Sequence, residues 1–164
     1  MSKNSASRRL ALVAMLAIAI VVVPAVTSLP SGISGVKDTG CNCHGTETSS
    51  SVTASISGLP ETYNTSETYA VTVSFSGGPS VDGNMNLGGF NLWASDGTFA
   101  TADDSTQLWG PAEASHSESG NDQRTWTLDW TAPESGANVD FVLHVNSVNG
   151  NEGDGGSSGD MWNR

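Results

Sequence analysis

The sequence predicts an all-β protein, an antiparallel β-sandwich of one domain that follows an export signal. Beyond residue 50, apolar residues alternate with polar ones in short runs, which is the period-two pattern of strands with one buried face. No stretch after the first 25 residues has the 3.6-residue periodicity of an amphipathic helix. Several such strands in succession favour a sandwich, and the immunoglobulin-like form fits their number and spacing best.

Six strands are predicted, and each is bounded by residues that favour turns. Gly58-Leu59-Pro60 ends the first run, Gly77-Gly78-Pro79 ends the second, and Asp96-Gly97 turns the third run into the fourth. Residues 101–123 are predicted to form a long polar connection, and connections of this length are often functional. The predicted strands cover residues 52–56, 69–75, 88–93, 98–100, 126–130 and 139–145.

The five tryptophans divide into two groups. Trp93, Trp126 and Trp130 fall on predicted strands, so we expect them in the core. Trp109 and Trp162 fall in predicted loops, where they are available to flank a cofactor or a partner.

The N-terminus has the pattern of an export signal. Residues 1–9 contain three basic residues and no acid, and residues 10–23 form an uninterrupted apolar run. A basic start, an apolar run of roughly 7–15 residues and a small-residue exit are typical of a secretory signal peptide. We place cleavage after Ala25; the alternative is an uncleaved anchor, although the run is shorter than the about 20 residues of a membrane span. The predicted organisation is a signal-peptide helix at 1–25, a linker at 26–50, a sandwich at 51–148 and a Gly/acid-rich tail at 149–164.

The exported chain is strongly acidic. All 17 acidic residues lie beyond the signal segment, whereas only Lys37, Arg124 and Arg164 remain of the basic ones, which leaves a formal charge of about −14. Such a charge excludes nucleic acid as a partner and disfavours anionic lipid surfaces. We expect an extracytoplasmic protein, secreted or attached to the cell surface, with membrane association only through its N-terminal segment or an anchor beyond residue 164.

Both cysteines of the chain lie in one segment, Cys41-Asn42-Cys43-His44, which is compatible with three kinds of site. The first is covalent c-type haem, with thioethers from Cys43 and Cys41. His44 would then ligate the iron, and His116 would be the second axial ligand. The second is a zinc or copper ion bound by the same two thiols and two imidazoles. The third is a disulfide between the two cysteines, which the oxidising conditions outside the cytosol favour.

Two further histidines are candidates to complete such a site. His116 lies among serines in the predicted polar connection, and mobile connections carry functional residues more often than strand faces do. His144 follows Leu143 on a predicted strand and is out of phase with its apolar residues. We therefore expect His144 to point to solvent, and we rank it below His116 as a ligand.

The sequence contains no recognisable catalytic arrangement. No serine lies in a Gly-x-Ser-x-Gly turn, and no pair of carboxylates is spaced recognisably for acid–base work. Cys43 and His44 are adjacent in the chain, which rarely gives the hydrogen-bond geometry that a nucleophile and its base require. The chain is therefore predicted not to be an enzyme.

Several landmarks occur in an order that is similar to a known group. Gly58-Leu59-Pro60, Gly88-Gly89-Phe90, His116 before residues 126–133, and Ser158-Gly159-Asp160 together resemble the reeler-type β-sandwich. The match is to its prokaryotic relatives, the choice-of-anchor V surface domains, and it covers Gly35 to the end of the chain.

The resemblance implies a surface protein with a cofactor near its N-terminus. Members of that group carry a Cys-x-x-Cys-His segment similar to a c-type haem attachment motif, and many continue into a C-terminal anchor. The present segment is one residue shorter, and the chain stops at Arg164. The implied function is electron transfer at the cell surface with an extracellular redox or surface protein as partner. The alternative is a non-enzymatic adhesion or interaction module with a structural zinc ion or disulfide.

Overall fold

The computed structural model describes residues 30–41, 45, 47–81, 83, 85–150 and 159–164. Within these residues the chain forms nine β-strands and a short 3₁₀ turn at Glu118–Gly120. The all-β prediction is confirmed, whereas the predicted signal peptide lies outside the described residues. No helix capable of crossing a bilayer occurs in this part of the chain. The strands are β1 (Val52–Ser57), β2 (Thr68–Gly77), β3 (Gly88–Ala94), β4 (Thr98–Thr101), β5 (Thr106–Leu108), β6 (Glu113–His116), β7 (Thr125–Thr131), β8 (Phe141–Ser147) and β9 (Met161–Asn163).

The strands form two antiparallel sheets that enclose one core. The four-stranded sheet has the order β1-β2-β7-β4, and the five-stranded sheet has the order β5-β6-β3-β8-β9. Alternation places every second residue of each strand on the face between the sheets. On β2 these are Val71, Val73 and Phe75, and on β7 they are Trp126 and Trp130, all buried. The antiparallel β-sandwich expected from the alternating runs is therefore confirmed.

Large aromatic side chains fill the space between the sheets. The Trp126 ring lies 4.9 Å from that of Phe90, and the Trp130 ring lies 5.1 Å from that of Phe141. Trp126 Nε1 also donates a hydrogen bond to the Gly120 carbonyl at 2.8 Å, which satisfies its one polar group inside the core. These contacts join strands from both sheets, so the aromatic residues hold the sandwich together.

Three strands lie where the sequence pattern indicated none. The region 101–123, predicted as a polar connection, contains β5 and β6, and the region 149–164, predicted as a tail, contains β9. Each has only three or four residues, which is too short for alternation to be recognised. The five-stranded sheet is therefore wider at both edges than the sequence pattern predicts.

The segment of residues 30–41, which we call the N-terminal strap, covers the outer face of the five-stranded sheet. The Ile33 carbonyl accepts a hydrogen bond from Asn91 Nδ2 at 2.9 Å, and the Gly35 N–H donates to Glu113 Oε1 at 2.7 Å. Lys37 Nζ lies 3.8 Å from the centre of the Trp93 ring. Trp93 was predicted to be a core residue, but it lies half-buried on this outer face because it shares a side of β3 with Asn91.

Candidate functional site

The cysteine segment is anchored at both of its ends to one side chain, Trp162. Cys41 and Gly45 are described, whereas the predicted ligands Cys43 and His44 lie outside the described residues. Trp162 Nε1 donates a hydrogen bond to the Gly45 carbonyl at 2.8 Å. On the other flank, a Cβ atom at Gly40 would lie 2.3 Å from Cη2 of the same indole, and φ of Gly40 is +72°. Glycine is required there because a larger residue would collide with the ring.

Trp162 is held firmly in the five-stranded sheet. It is the middle residue of β9, it pairs with Asn146 of β8, and only 5% of its surface is exposed. Its carbonyl accepts a hydrogen bond from the Ser49 N–H at 2.8 Å, so the chain that follows the cysteine segment also lies along β9. The indole was predicted to lie in a loop, but the short strand fixes it against the sheet.

The Trp162 ring packs beside His144, whose ring centroid is 6.0 Å away. His144 lies on β8 and is fully buried, at 0% exposure, so the prediction that it points to solvent is wrong. Its phase on the strand does direct it away from the core, but the strap and Trp162 cover that outer face. Burial depends here on segments remote in sequence, which local alternation does not encode.

The His144 imidazole is neutral and lacks partners. Neither Nδ1 nor Nε2 has a hydrogen-bond partner among the described residues. Burial away from water lowers the pKa of His144 from its ordinary 6.5, and the positive charge of Arg164 lowers it further. At neutral pH one ring nitrogen therefore carries a proton and the other a lone pair, which is the form of imidazole that binds metals.

Two neighbours of His144 also have unpartnered buried atoms. Asn91 lies directly opposite His144 on β3, and Asn146 lies two residues along β8 on the same face. The Asn91 amide nitrogen donates to Ile33 and Glu113, but its Oδ1 has no partner, and neither has Asn146 Oδ1. Buried polar atoms are nearly always hydrogen-bonded, so four such exceptions on three neighbouring side chains mark a place where water or an ion would be stabilised.

His116 lies three strands away from Trp162, the residue that contacts Gly40 and Gly45 on the two flanks of the cysteine segment. His116 lies on β6, and β6 and β9 are three strand spacings apart, which is about 14 Å at the usual interstrand distance. Its Nδ1 lies 3.1 Å from the Phe90 nitrogen and accepts a hydrogen bond from it, and its ring lies 6.4 Å from that of Trp126. Metal–ligand bonds of about 2.0–2.3 Å do not span such a separation. The role predicted for His116 as a ligand stays a prediction.

The described residues do not themselves form a metal site. No three histidine, cysteine, aspartate or glutamate side chains come together within the described ranges in a way that would hold an ion. Cys41 is half-buried beside Gly40, and His144 lies behind Trp162. A complete donor set would also need Cys43 and His44, which lie outside those ranges.

A second candidate site, which sequence reasoning missed, lies at one end of the sandwich. It is a cleft of about 490 Å³ between the β1–β2 and β7–β8 connections. Tyr63, Trp130 and Phe141 line it together with the carboxylates Glu61 and Asp140. The Tyr63 ring lies 5.6 Å from that of Trp130 at an angle of 89°, and its hydroxyl bonds the carbonyl of Ser135 at 3.0 Å. Tyr63 was a loop residue without a motif, so no sequence signal pointed to this cleft.

Comparison with known proteins gives structural similarity only. No protein-family profile matches the chain, and no curated protein matches it. The crystal structure of the reelin-N domain of F-spondin is 24% identical, with a TM-score of 0.43 over 60% of this chain and 74% of that one. Two structures of the human F-spondin reeler domain are 23% and 22% identical, with TM-scores of 0.43 and 0.42. They cover 60% of this chain and 77% and 80% of their own.

Proposed function

We propose that this protein is an exported, non-enzymatic surface module that holds a metal ion or cofactor in its Cys41-x-Cys43-His44 segment. The observation that carries the proposal is the double attachment of that segment to Trp162, beside a buried imidazole without partners. Two thiols and an imidazole supply donors that soft and borderline metal ions prefer.

Zinc or copper fits this arrangement better than other occupants. An ion with bonds of about 2.0–2.3 Å needs little space and would satisfy a buried imidazole that otherwise lacks a partner. A zinc ion would tie the segment to the sheet, and a copper ion would add one-electron chemistry. The protein's own part is to present the cysteine thiols and to keep the nearby imidazole neutral.

Covalent haem with electron transfer is the second candidate, because Cys43 directly precedes His44 in the sequence. In a c-type attachment the thiols bind the porphyrin and the adjacent histidine ligates iron, which supplies reversible one-electron transfer. The fully buried His144 could not approach a porphyrin without displacement of Trp162. The residues that would hold haem are therefore Cys41, Cys43 and His44, and not His144.

A role in adhesion without any cofactor is favoured by a different observation, the aromatic cleft near Tyr63. Clefts lined by aromatic residues with a few polar groups are the usual sites for small ligands. In this case the two cysteines would form a disulfide, and the surface partner would bind at the cleft.

We also propose that the protein is exported from the cytoplasm. The basic and apolar N-terminal residues have the order of a secretory signal, and the remaining chain is strongly acidic. A strongly acidic domain of this kind attracts cations to its surface.

Measurements on one purified preparation distinguish the three candidate functions. The chain is exported from a host that also carries a haem-maturation system, and its absorption spectrum, mass after denaturation and metal content are measured. We expect a colourless protein with one zinc or cuprous copper ion per chain, and Cys41→Ala and Cys43→Ala variants that lack it. Sharp reduced-state bands and a haem-sized mass increase would support haem instead. Protein free of iron, zinc and copper, with its two cysteines bonded to each other, would overturn both the metal-ion proposal and the haem proposal. The adhesion role would then remain.

A further inference from the structure

We propose that the cleft beside Tyr63 binds a small organic cation, a molecule that carries a quaternary ammonium group. The cleft has a volume of about 490 Å³ and lies between the β1–β2 and β7–β8 connections. Sites for small ligands commonly have volumes of about 300–1,000 Å³. The inference goes beyond the metal or cofactor role proposed for the cysteine segment and does not depend on it.

The cleft and Trp162, which anchors the cysteine segment, lie at opposite ends of strand β8. Phe141, which lines the cleft, is the first residue of β8, whereas Asn146, which pairs with Trp162, lies near its end. Five positions along an antiparallel strand, at about 3.4 Å each, correspond to about 17 Å. Binding in the cleft can therefore be measured without a contact between its ligand and Trp162.

Two half-buried aromatic rings give the cleft surfaces that attract cations. Tyr63 and Phe141 line it, and their rings stand at 89° and 74° to the buried Trp130 indole. The ring centroids lie 5.6 Å and 5.1 Å from that of the indole, so Trp130 supports both rings from the core. The face of an aromatic ring is electron-rich, and quaternary ammonium groups bind to such faces.

Hydrogen bonds within the protein hold the walls of the cleft in place. The Tyr63 hydroxyl donates to the carbonyls of Ser135 and Ala137, which ties the β1–β2 connection to the β7–β8 connection. The Asp140 N–H donates to Ser95 Oγ at 2.9 Å, and the Ser95 N–H donates to the Asp140 carbonyl at 2.9 Å. A site that is already ordered avoids the cost of ordering its walls when a ligand binds.

The charges at the cleft favour a cation. The exposed carboxylates of Glu61 and Asp140 belong to its lining, and the described lining residues include no lysine, arginine or histidine. The exported chain as a whole adds to this bias, because its formal charge is about −14. Two aromatic surfaces beside two carboxylates offer both the apolar contact and the negative charge that an organic cation requires.

A quaternary ammonium group suits the cleft better than a lysine side chain or a neutral sugar. The ammonium group of lysine is strongly hydrated and needs hydrogen-bond acceptors, whereas the Ala137 carbonyl in the lining already accepts a hydrogen bond from Tyr63. A neutral sugar could stack on the rings of Tyr63 and Phe141, but it would not neutralise the two carboxylates.

The test uses the full exported chain and two probes, choline and dimethylbutanol, its neutral isostere in which carbon replaces the charged nitrogen. Binding is followed through the NMR signals of the Tyr63 and Phe141 rings. We expect one choline per chain and about tenfold weaker binding of the isostere, as for a cation over partly desolvated rings. Added salt should weaken choline binding. Equal affinity for the two probes, or no binding of choline, would overturn the proposal.

Substitutions at the carboxylates test the charge directly. Glu61→Gln and Asp140→Asn should each weaken choline binding about fivefold, the effect of one unit charge about 4 Å away in water, and should leave the isostere unaffected. Glu118→Gln removes an exposed carboxylate from the 3₁₀ turn that follows β6, and this matched control should bind choline as the wild type does. Unchanged choline affinity in both cleft variants would contradict recognition by charge.

Two further probes identify the other possible occupants of the cleft. Tighter binding of acetyl-lysine amide than of choline would indicate a lysine side chain of a partner protein. Binding of a neutral methyl glycoside without binding of choline would indicate a sugar, and either result would overturn the proposal. The zinc and copper content of the same preparation reports separately on the cysteine segment, so a failure at the cleft leaves the metal or cofactor role standing.

Discussion

The two faces of the five-stranded sheet are both buried, but they are built from opposite kinds of residue. The inner face presents apolar side chains such as Leu92 and Val145 to the other sheet. The outer face presents Asn91, His144 and Asn146, which the strap and Trp162 cover. The inner face is complete within the sandwich, whereas the outer face is buried and still has unpartnered polar atoms.

Burial on the outer face is therefore less favourable than burial on the inner face. A buried polar atom without a partner costs about 1–3 kcal/mol, and apolar residues at the same positions would avoid that cost. An ion or a water molecule at the outer face would remove the cost. The outer face therefore contains buried polar atoms that reduce stability, whereas the described part of the inner face does not. Functional sites commonly break the rules of core packing in this way.

The largest expected effect comes from the inner face. Trp126→Ala should destabilise the protein by about 3–5 kcal/mol, because it leaves a large cavity next to Phe90 and leaves the Gly120 carbonyl without its donor. Thr125→Ala, at the exposed neighbouring position of β7, should change the stability by about 0.5 kcal/mol or less. Urea unfolding measures both. A loss at Trp126 comparable with that at Thr125 would mean that the inner face is not the stabilising core.

The second effect concerns the attachment of the strap to Trp162. Gly40→Ala should destabilise the chain because the new Cβ would lie 2.3 Å from the indole, and φ is +72°. Gly35→Ala is the matched control, since φ is +73° and nothing lies within 4 Å of the added Cβ. The control isolates the backbone strain of about 1–2 kcal/mol, and the collision at Gly40 should add about 1–3 kcal/mol.

Thermal unfolding followed by tryptophan fluorescence gives the comparison for these two glycines. The Gly40 variant should also accelerate amide exchange of residues near Trp162. Equal destabilisation by the two substitutions would show that the strap does not press on the indole.

The contrast between the faces also explains how much the sequence could predict. The inner-face residues of β2, Val71, Val73 and Phe75, alternate with polar residues, and the pattern identified their strand and their burial. Both sheets needed a hydrophobic inner face, so the fold class followed from six such strands. The alternation of apolar and polar residues depends only on neighbouring positions in the sequence. It can therefore identify which strand residues face the core.

The outer face could not be predicted in the same way. His144 has the phase of a solvent-facing residue, and tertiary contacts, among them the one with Trp162, bury it. Trp162 itself lies on a strand of three residues, which is too short for a periodic signal.

The third effect is a dependence of stability on pH through His144. The unfolded chain takes up a proton on this residue below about pH 6.5, whereas the folded protein resists because its pKa is lowered by burial and by Arg164. The unfolded state then binds more protons, so stability is complete above pH 6.5 and falls as the pH is lowered toward the folded pKa. The slope in that window is at most about 1.4 kcal/mol per pH unit.

Urea unfolding of metal-free protein between pH 5 and 8 measures this contribution as the difference between wild type and His144→Leu. The variant should lose this part of the pH dependence and be no less stable at pH 5, since leucine needs no hydrogen-bond partner. Identical pH profiles would mean that His144 is as easily protonated in the folded state as in the unfolded one.

The smallest effect comes from the one cationic contact between the strap and the outer face. Lys37→Met should remove the attraction between the ammonium group and the Trp93 ring, 3.8 Å away, at a cost of about 0.5–1 kcal/mol. Lys37→Arg keeps the cation over the ring and should retain most of the stability. Urea unfolding at low salt measures both variants. If Lys37→Arg loses as much as Lys37→Met, the charge over the ring is not what stabilises the contact, and the strap is held to the outer face by its hydrogen bonds to Asn91 and Glu113.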